Sequence, residues 1–212
     1  MTFDVEKAKK LQERLSRRVV YDGIDLGKVR HLAGLDVSYA WDLGVGVAVL
    51  LTYPQLDPVE YVVVKGRVEV PYIPGLLAFR EAPLLIKALE LLSVRPDLIV
   101  VDGHGVTHPR RFGIASHVGL VTGTASVGAA KSLLYGRVVD SGPERLIVVD
   151  GLAGGLTVRR GRREVYLSIG YRVSLDNLRV LSKTLFKHHD LPEPTYLADR
   201  VAKEVRAAEA RR

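Results

Sequence analysis

PDLIVVDGHGVTHPRRFGIASHVGL, residues 96–120, decides the fold. Four apolar residues, Leu98–Val101, run straight into an acid, Asp102, and then into a loop dense in glycine, histidine and arginine. A short apolar run without alternation fits a strand covered on both faces, as inside a parallel sheet. An acid at the end of such a strand, followed by a turn, is how an open α/β sheet delivers a carboxylate to the edge where ligands bind. A helix is predicted over 113–121, then a short strand near Thr124–Ala130 with Lys131 at its end. Upstream, LLIKALELL (84–92) predicts an amphipathic helix from about Pro83 to Leu92, with Pro83 accommodated in its first turn. Glu81 then falls just before or at the helix start, where the helix dipole favours an acid.

Before that helix, Pro71, Pro74 and Gly75 predict a rigid turn that presents Tyr72 and Ile73 with little conformational freedom. Further back, HLAGLDVSYA (31–40), VGVAVLLTY (45–53) and PVEYVVVKGRVEV (58–70) read as three strands joined by short turns, an antiparallel meander. Asp36 lies inside the first of these. An unpaired carboxylate there is costly, so it either pairs with a lysine or arginine or binds a cation. The first helix spans 4–20, with Val5, Ala8, Leu11, Leu15 and Val19 on one side, Asp4 and Glu6 in its first turn and Arg17 and Arg18 in its last. Downstream, SGPER (141–145) reads as a turn. RLIVVDGLAGGLTVRR (145–160) and REVYLSIGY (163–171) read as two strands, with Gly161 and Arg162 near the hairpin tip. Ser174 opens a helix over 174–188, LPEPT (191–195) stops it, and a last helix covers about 195–210, with a frayed end over 207–212. On that last helix Leu197, Val201 and Val205 define the apolar side. Asp199 falls away from it, as a solvated acid would.

The order of elements predicts an α/β fold with a central mixed β-sheet flanked by helices, one domain over 1–212. A meander leading into parallel βαβ units is the ribonuclease H-like order, in which Asp36 and Asp102 become neighbours able to share a metal. Net charge is +7 and the pI about 9.7, which point to a polyanionic partner, nucleic acid ahead of an anionic membrane surface. There is no cysteine, which excludes disulfides and thiolate metal sites. No apolar run approaches the ~20 residues of a membrane helix, and the charged N-terminus does not read as a secretory signal; a cytoplasmic protein is expected. One asparagine and two glutamines, with no cysteine, fit a chain suited to high temperature. His104, His108 and His117 surround one loop and raise Zn²⁺, but their spacing without cysteine supports it weakly.

PYIPGLLAFREAP (71–83), DGHGVTHPRRFGIASHVGL (102–120), AKSLLYG (130–136) and PEPTYLAD (192–199), with GLDVSYA (34–40) upstream, resemble the motifs of endonuclease V, the deoxyinosine-directed repair nucleases. The resemblance runs from about residue 30 to 202. It implies a ribonuclease H-like three-layer fold and Mg²⁺, with Mn²⁺ as a substitute, held by Asp36, Glu81, Asp102 and, on the last helix, Asp199. It also implies that Lys131 offsets charge at the phosphate and that Tyr72 is a wedge, flanked by Ile73 and Pro74. The implied lesion-base pocket is Gly75, Leu77, Gly103, His108, Gly113 and Ile114, with His117 in support and Arg110 and Arg111 on phosphate. The implied reaction is hydrolysis of the second phosphodiester 3′ to deoxyinosine in DNA, leaving 3′-hydroxyl and 5′-phosphate ends; a monomer is the default expectation. Two alternatives remain: an inosine-specific endoribonuclease acting on RNA, and a catalytically silent inosine- or junction-binding module. Where some members carry proline-glycine-histidine, this chain has Gly170 and Tyr171, and 141–163 matches only loosely.

Overall fold

Three apolar strands fold back on one another: β1 (His31–Ala40), β2 (Leu43–Thr52) and β3 (Pro58–Arg67) form the expected antiparallel meander. The structure is a computed structural model and describes residues 3–211. β2, apolar throughout, is buried along nearly its whole length between β1 and β3. β4 (Leu98–Asp102) pairs parallel with β1, and β5 (Ala125–Ala130) pairs parallel with β4. Four more strands, β6 (Arg137–Ser141), β7 (Glu144–Val149), β8 (Leu152–Arg160) and β9 (Arg163–Tyr171), complete one mixed sheet ordered β3-β2-β1-β4-β5-β9-β8-β7-β6.

Helices α2 (Leu77–Glu90) and α3 (Ile114–Thr122) cover one face, over Leu35, Leu50, Ile99 and Val101. Helices α4 (Leu175–Thr184) and α5 (Glu193–Glu209) cover the other, over Leu32, Val47, Val100 and Leu167. The two separate cores give the predicted three layers. No helix among the described residues is long and apolar enough to cross a membrane.

Several local expectations change. The helix expected from about Pro83 begins at Leu77, and Pro83 sits inside it on the exposed side. An internal proline costs roughly 3 kcal/mol. Burial of Ala78, Ala82, Leu85 and Ala88 on the opposite side offsets that, since a single buried leucine contributes about 1.5–3 kcal/mol. Glu81 is therefore a buried residue of the second helical turn, not a helix-entry acid. The strand expected over 145–160 is a hairpin, β7 and β8. Asp150 and Gly151 turn it with φ values of 49° and 80°, the left-handed pair that Asp-Gly adopts readily. The first helix, α1 (Val5–Ser16), stops short of Arg17 and Arg18, and α4 stops at Thr184, before 188. Ser174 does cap α4, in a reciprocal pair with Asn177. The chain end expected to fray stays helical to Glu209, which Lys65 reaches at 2.7 Å; Arg212 lies outside the described residues.

The packing of α5 matters most. Leu197, Val201 and Val205 lie on its flanks, while Thr195, Ala198 and Ala202 are its buried side. Gly34 explains this: a Cβ there would lie 2.0 Å from the carbonyl oxygen of Pro194. Helix and strand backbones touch directly, so small residues must line the seam, and Asp199 beside Ala198 is carried to the edge of β1 rather than into solvent. At the other end of β1, the turn into β2 is made by Trp41 and Asp42, with Trp41 at φ 54°. A left-handed conformation costs a residue other than glycine about 1 kcal/mol.

Candidate functional site

The register places Leu35 of β1 opposite Val101 of β4, so the next residues, Asp36 and Asp102, leave the parallel pair side by side. Asp199 reaches them from α5. One oxygen from each of the three carboxylates lies within 4.8 Å of the other two. Of the two possibilities open for Asp36, no lysine or arginine pairs with it among the described residues. The neighbouring lysines are engaged elsewhere: Lys131 Nζ donates to Asp102 at 2.8 Å and Lys203 Nζ to Asp199 at 2.7 Å. Burial, and then the charges of Asp102 and Asp199, push Asp36 up to about 8. Burial opposes the charged form of Lys131, but Asp102, its hydrogen bond, and the other two acids outweigh it and hold the ammonium above its usual range.

Glu81 stands beside this trio rather than within it. Burial pushes it up to about 7, against the pull of the Tyr39 hydroxyl, which donates to Oε1 at 2.8 Å. The Tyr39 hydroxyl is itself shifted up, by burial and then by Glu81, and Arg80 lies 4.2 Å over its ring. Three carboxylates crowded together, with repulsion that no donor to Asp36 relieves, form an all-oxygen set suited to a hard divalent cation.

A pH dependence follows. Asp36 and Glu81 have folded pKa values raised above their ordinary ones, so without a cation the folded state binds more protons than the unfolded state between about pH 4 and 8. Stability then falls as pH rises across that window. A divalent cation is expected to raise the melting temperature most near the upper end and least near the lower end. Melts in chelator and in cation across this range check it; a cation effect flat with pH would remove Asp36 from the centre.

Two of the three, Asp36 and Asp102, open into a cleft of about 400 Å³, with Asp199 set behind them. Asp36, Glu81, Asp102 and Lys131 line it, and so does every residue of the expected pocket: Gly75, Leu77, Gly103, His108, Gly113 and Ile114. Gly113 cannot be larger, because a Cβ would lie 2.2 Å from the carbonyl oxygen of His104. Tyr72 and Pro74 form part of the cleft's lining, with Tyr72 69% exposed; Ile73, Arg110, Arg111 and Asp199 do not line it.

Among the described residues, none of the three histidines belongs to a group able to hold a metal. The Nε2–H of His104 donates to the Ser132 carbonyl at 2.9 Å, and its Nδ1 accepts from Thr107 at 2.8 Å. The Nε2–H of His108 donates to the Gly75 carbonyl at 2.9 Å, and its Nδ1 accepts from the Arg110 backbone at 3.1 Å. His117 packs against Phe79 and Phe112. Burial takes His108 and His117 down to about 4, so both rings are neutral at pH 7.

One residue escaped the sequence reading. Gln12 of α1 is 1% exposed. Its amide donates to the carbonyls of Gly75 and Phe112, both at 3.1 Å, and accepts from Arg110 Nε at 2.7 Å. The Gly75 carbonyl thus receives Gln12, His108 and, at 2.7 Å, Arg110 Nη2. Arg110, expected on phosphate, has much of its guanidinium committed to bracing the turn that carries Tyr72. The only sequence signal for Gln12 is its place one turn after Ala8, on the buried side. Arg111 sits at φ 50° with its guanidinium 3.3 Å from the Val149 carbonyl.

The Endonuclease V family profile matches residues 13–200. A relative from Desulfurococcus amylolyticus, an endonuclease V, is 44% identical over 206 residues, covering 94% of each chain. The crystal structure of an endonuclease V from Streptomyces avermitilis superposes with a TM-score of 0.89 at 36% identity, over 99% of this chain and 95% of that one. A Ciona intestinalis endonuclease V, crystallised with a 24mer DNA containing an inosine followed by a ribo-adenosine, superposes with a TM-score of 0.86 at 25% identity, over 96% and 98% of the two chains.

Proposed function

The chain belongs to the endonuclease V family, and from that premise we propose that it hydrolyses the second phosphodiester bond 3′ to a deoxyinosine in DNA, using Mg²⁺ and leaving 3′-hydroxyl and 5′-phosphate ends. The observation that carries this reading is the trio Asp36, Asp102 and Asp199, of which Asp36 and Asp102 open, with Lys131, into a cleft that Tyr72 also lines. The trio, with Glu81 beside it, would hold Mg²⁺, or Mn²⁺ in its place. The ion, when bound, supplies Lewis-acid stabilisation of phosphoryl oxygens and a more acidic water.

The chain's own groups do the rest. The Lys131 ammonium, kept charged by its neighbours, offsets negative charge growing on the phosphate. Tyr39 fixes Glu81 through its hydroxyl. Tyr72, held between Pro71 and Pro74, enters the space a base vacates when it leaves the stack. Close backbone at Gly103 and Gly113 lets the extracted base approach the first turn of α3, whose leading peptide N–H groups have no partner within the helix; the N–H groups of the two glycines themselves donate to the Ala129 and Gly105 carbonyls. Hypoxanthine offers O6 as an acceptor there, where adenine would bring a donor against a donor. His108 contributes a neutral wall, since both its nitrogens are engaged. Arg111 and the excess of basic residues serve the phosphate backbone.

The direct test is a panel of duplexes with and without a single deoxyinosine, with and without Mg²⁺, with the cut mapped to the nucleotide. Cutting elsewhere, or equally without the lesion, would overturn the reading. A second reading, an inosine-directed ribonuclease, draws support from the ribo-adenosine in the Ciona intestinalis complex. Matched DNA and RNA strands, each with one inosine, separate the two. Tyr72→Ala is expected to weaken binding to inosine-containing DNA on the order of tenfold, as loss of one base–aromatic stack implies, while plain-duplex affinity holds. Equal losses on both substrates would rule out a wedge.

A further inference from the structure

The turn between β1 and β2 carries the chain's single tryptophan, Trp41, which is 81% exposed. Its φ of 54° suits glycine better than a bulky ring. Trp41 therefore gives the fold neither burial nor turn preference, and a strained residue retained in that way points to a role outside the fold. Around it lies a shallow hollow formed by Tyr39, Ala40 and Trp41 together with Arg206 and Arg211 of the chain's last turns. Neither guanidinium forms an ion pair among the described residues, so both charges face solvent beside the indole.

Tyr39 joins this hollow to the carboxylate centre: the residue borders the hollow, and its hydroxyl holds Glu81. Along the chain, Trp41 is five residues beyond Asp36, a span of about 16 Å at the strand rise of ~3.3 Å. That equals about five nucleotides at the stacked spacing of ~3.4 Å, and fewer in an extended strand.

We propose that the hollow is a second nucleic-acid contact, where the Trp41 indole stacks on an unpaired base of the strand leaving the cleft while Arg206 and Arg211 take its phosphates. An exposed aromatic flanked by free cations is the combination that binds single strands without regard to sequence. The inference rests on reading the cleft as the nuclease centre.

Because Trp41 is the chain's only tryptophan, its emission reports on the hollow alone. Single strands with one deoxyinosine and flanks of graded length on either side would be titrated in chelator, with cleavage followed in parallel in Mg²⁺. Emission is expected to be quenched once one flank reaches about five nucleotides. Trp41→Gly, which relieves the backbone strain and so keeps or raises the melting temperature, is expected to bind long-flank strands on the order of tenfold more weakly and short-flank strands unchanged. Quenching that is absent or indifferent to flank length, as a face reserved for another protein would give, overturns the contact, and so does unchanged affinity in Trp41→Gly. Inosine-directed cleavage without quenching would sink this contact alone. Quenching without such cleavage would sink the nuclease reading and leave the contact.

Discussion

Asp102→Ala is expected to reduce inosine-directed cleavage about a thousandfold or more while the intact oligonucleotide still binds. Asp102 is the shared neighbour of the centre: it is ion-paired to Lys131, lies within 4.8 Å of Asp36 and Asp199, and its charge is felt by Glu81. Removing it takes away one of the proposed cation ligands and the group that holds Lys131 in place. A bound cation contributes several kcal/mol to phosphoryl-transfer transition states, and about 4 kcal/mol corresponds to a thousandfold. Stability should move the other way. Without Asp102 the repulsion that raises Asp36 and Glu81 is relieved, so the cation-free variant should melt no lower than the parent. Lys131 is half exposed and loses only a solvent-screened partner. Asp102→Asn, which keeps the shape and removes the charge, should behave alike. Single-turnover cleavage with a parallel binding assay decides the matter; near-parental rates in either variant would dismantle the centre as described.

Gly34→Ala should be strongly destabilising for one added methyl group. The new Cβ would sit 2.0 Å from the Pro194 oxygen and 2.2 Å from its carbonyl carbon. These are backbone atoms, which cannot swing aside as a side chain can, so α5 must shift as a body. Overpacking of this kind costs about 3 kcal/mol, which for a chain this long lowers the melting temperature on the order of 10 °C. The shift would also carry Asp199, five residues further along α5, away from Asp36, so cation-induced stabilisation should shrink in the same variant. A melting temperature within a degree or so of the parent's would show that the seam is looser than described.

The parts of the fold legible in the sequence are those fixed by local pattern. The run from Leu98 to Asp102, the apolar length of β2 and the Ser174 cap all read correctly because nearby residues decide them. What escaped was decided at a distance or by small residues. The seam of Ala198 and Ala202 is invisible to a search for leucine and valine, and it exists only because Gly34, far away in the chain, has no side chain. Asp199 therefore read as solvated from periodicity and entered the ligand set through family resemblance. Gln12 takes partners 63 and 98–100 residues on, which no helical period encodes. The start of α2 was misplaced because a proline usually marks a helix entry, and here packing on the other side of the helix overrides it. The Asp150-Gly151 hairpin, by contrast, carried a readable turn signal inside a run that looked continuous.

The few amides of the chain age differently from its other residues. Of one asparagine and two glutamines, only Gln55 is an exposed turn residue. Asn177 bridges the start of α4 to both backbone groups of Ile24, and Gln12 bridges α1 to the turn under Tyr72. Each uses its donor and its acceptor at once, which a carboxylate of the same shape cannot do. Heat-driven deamidation at Gln12 would set an anionic oxygen against the carbonyls of Gly75 and Phe112, a change of one mass unit that would loosen the turn carrying Tyr72 while the nine-stranded sheet stood unaltered. The near-complete burial of that amide keeps water from it, so the shelf life of that turn is set by how seldom α1 lifts from its seat.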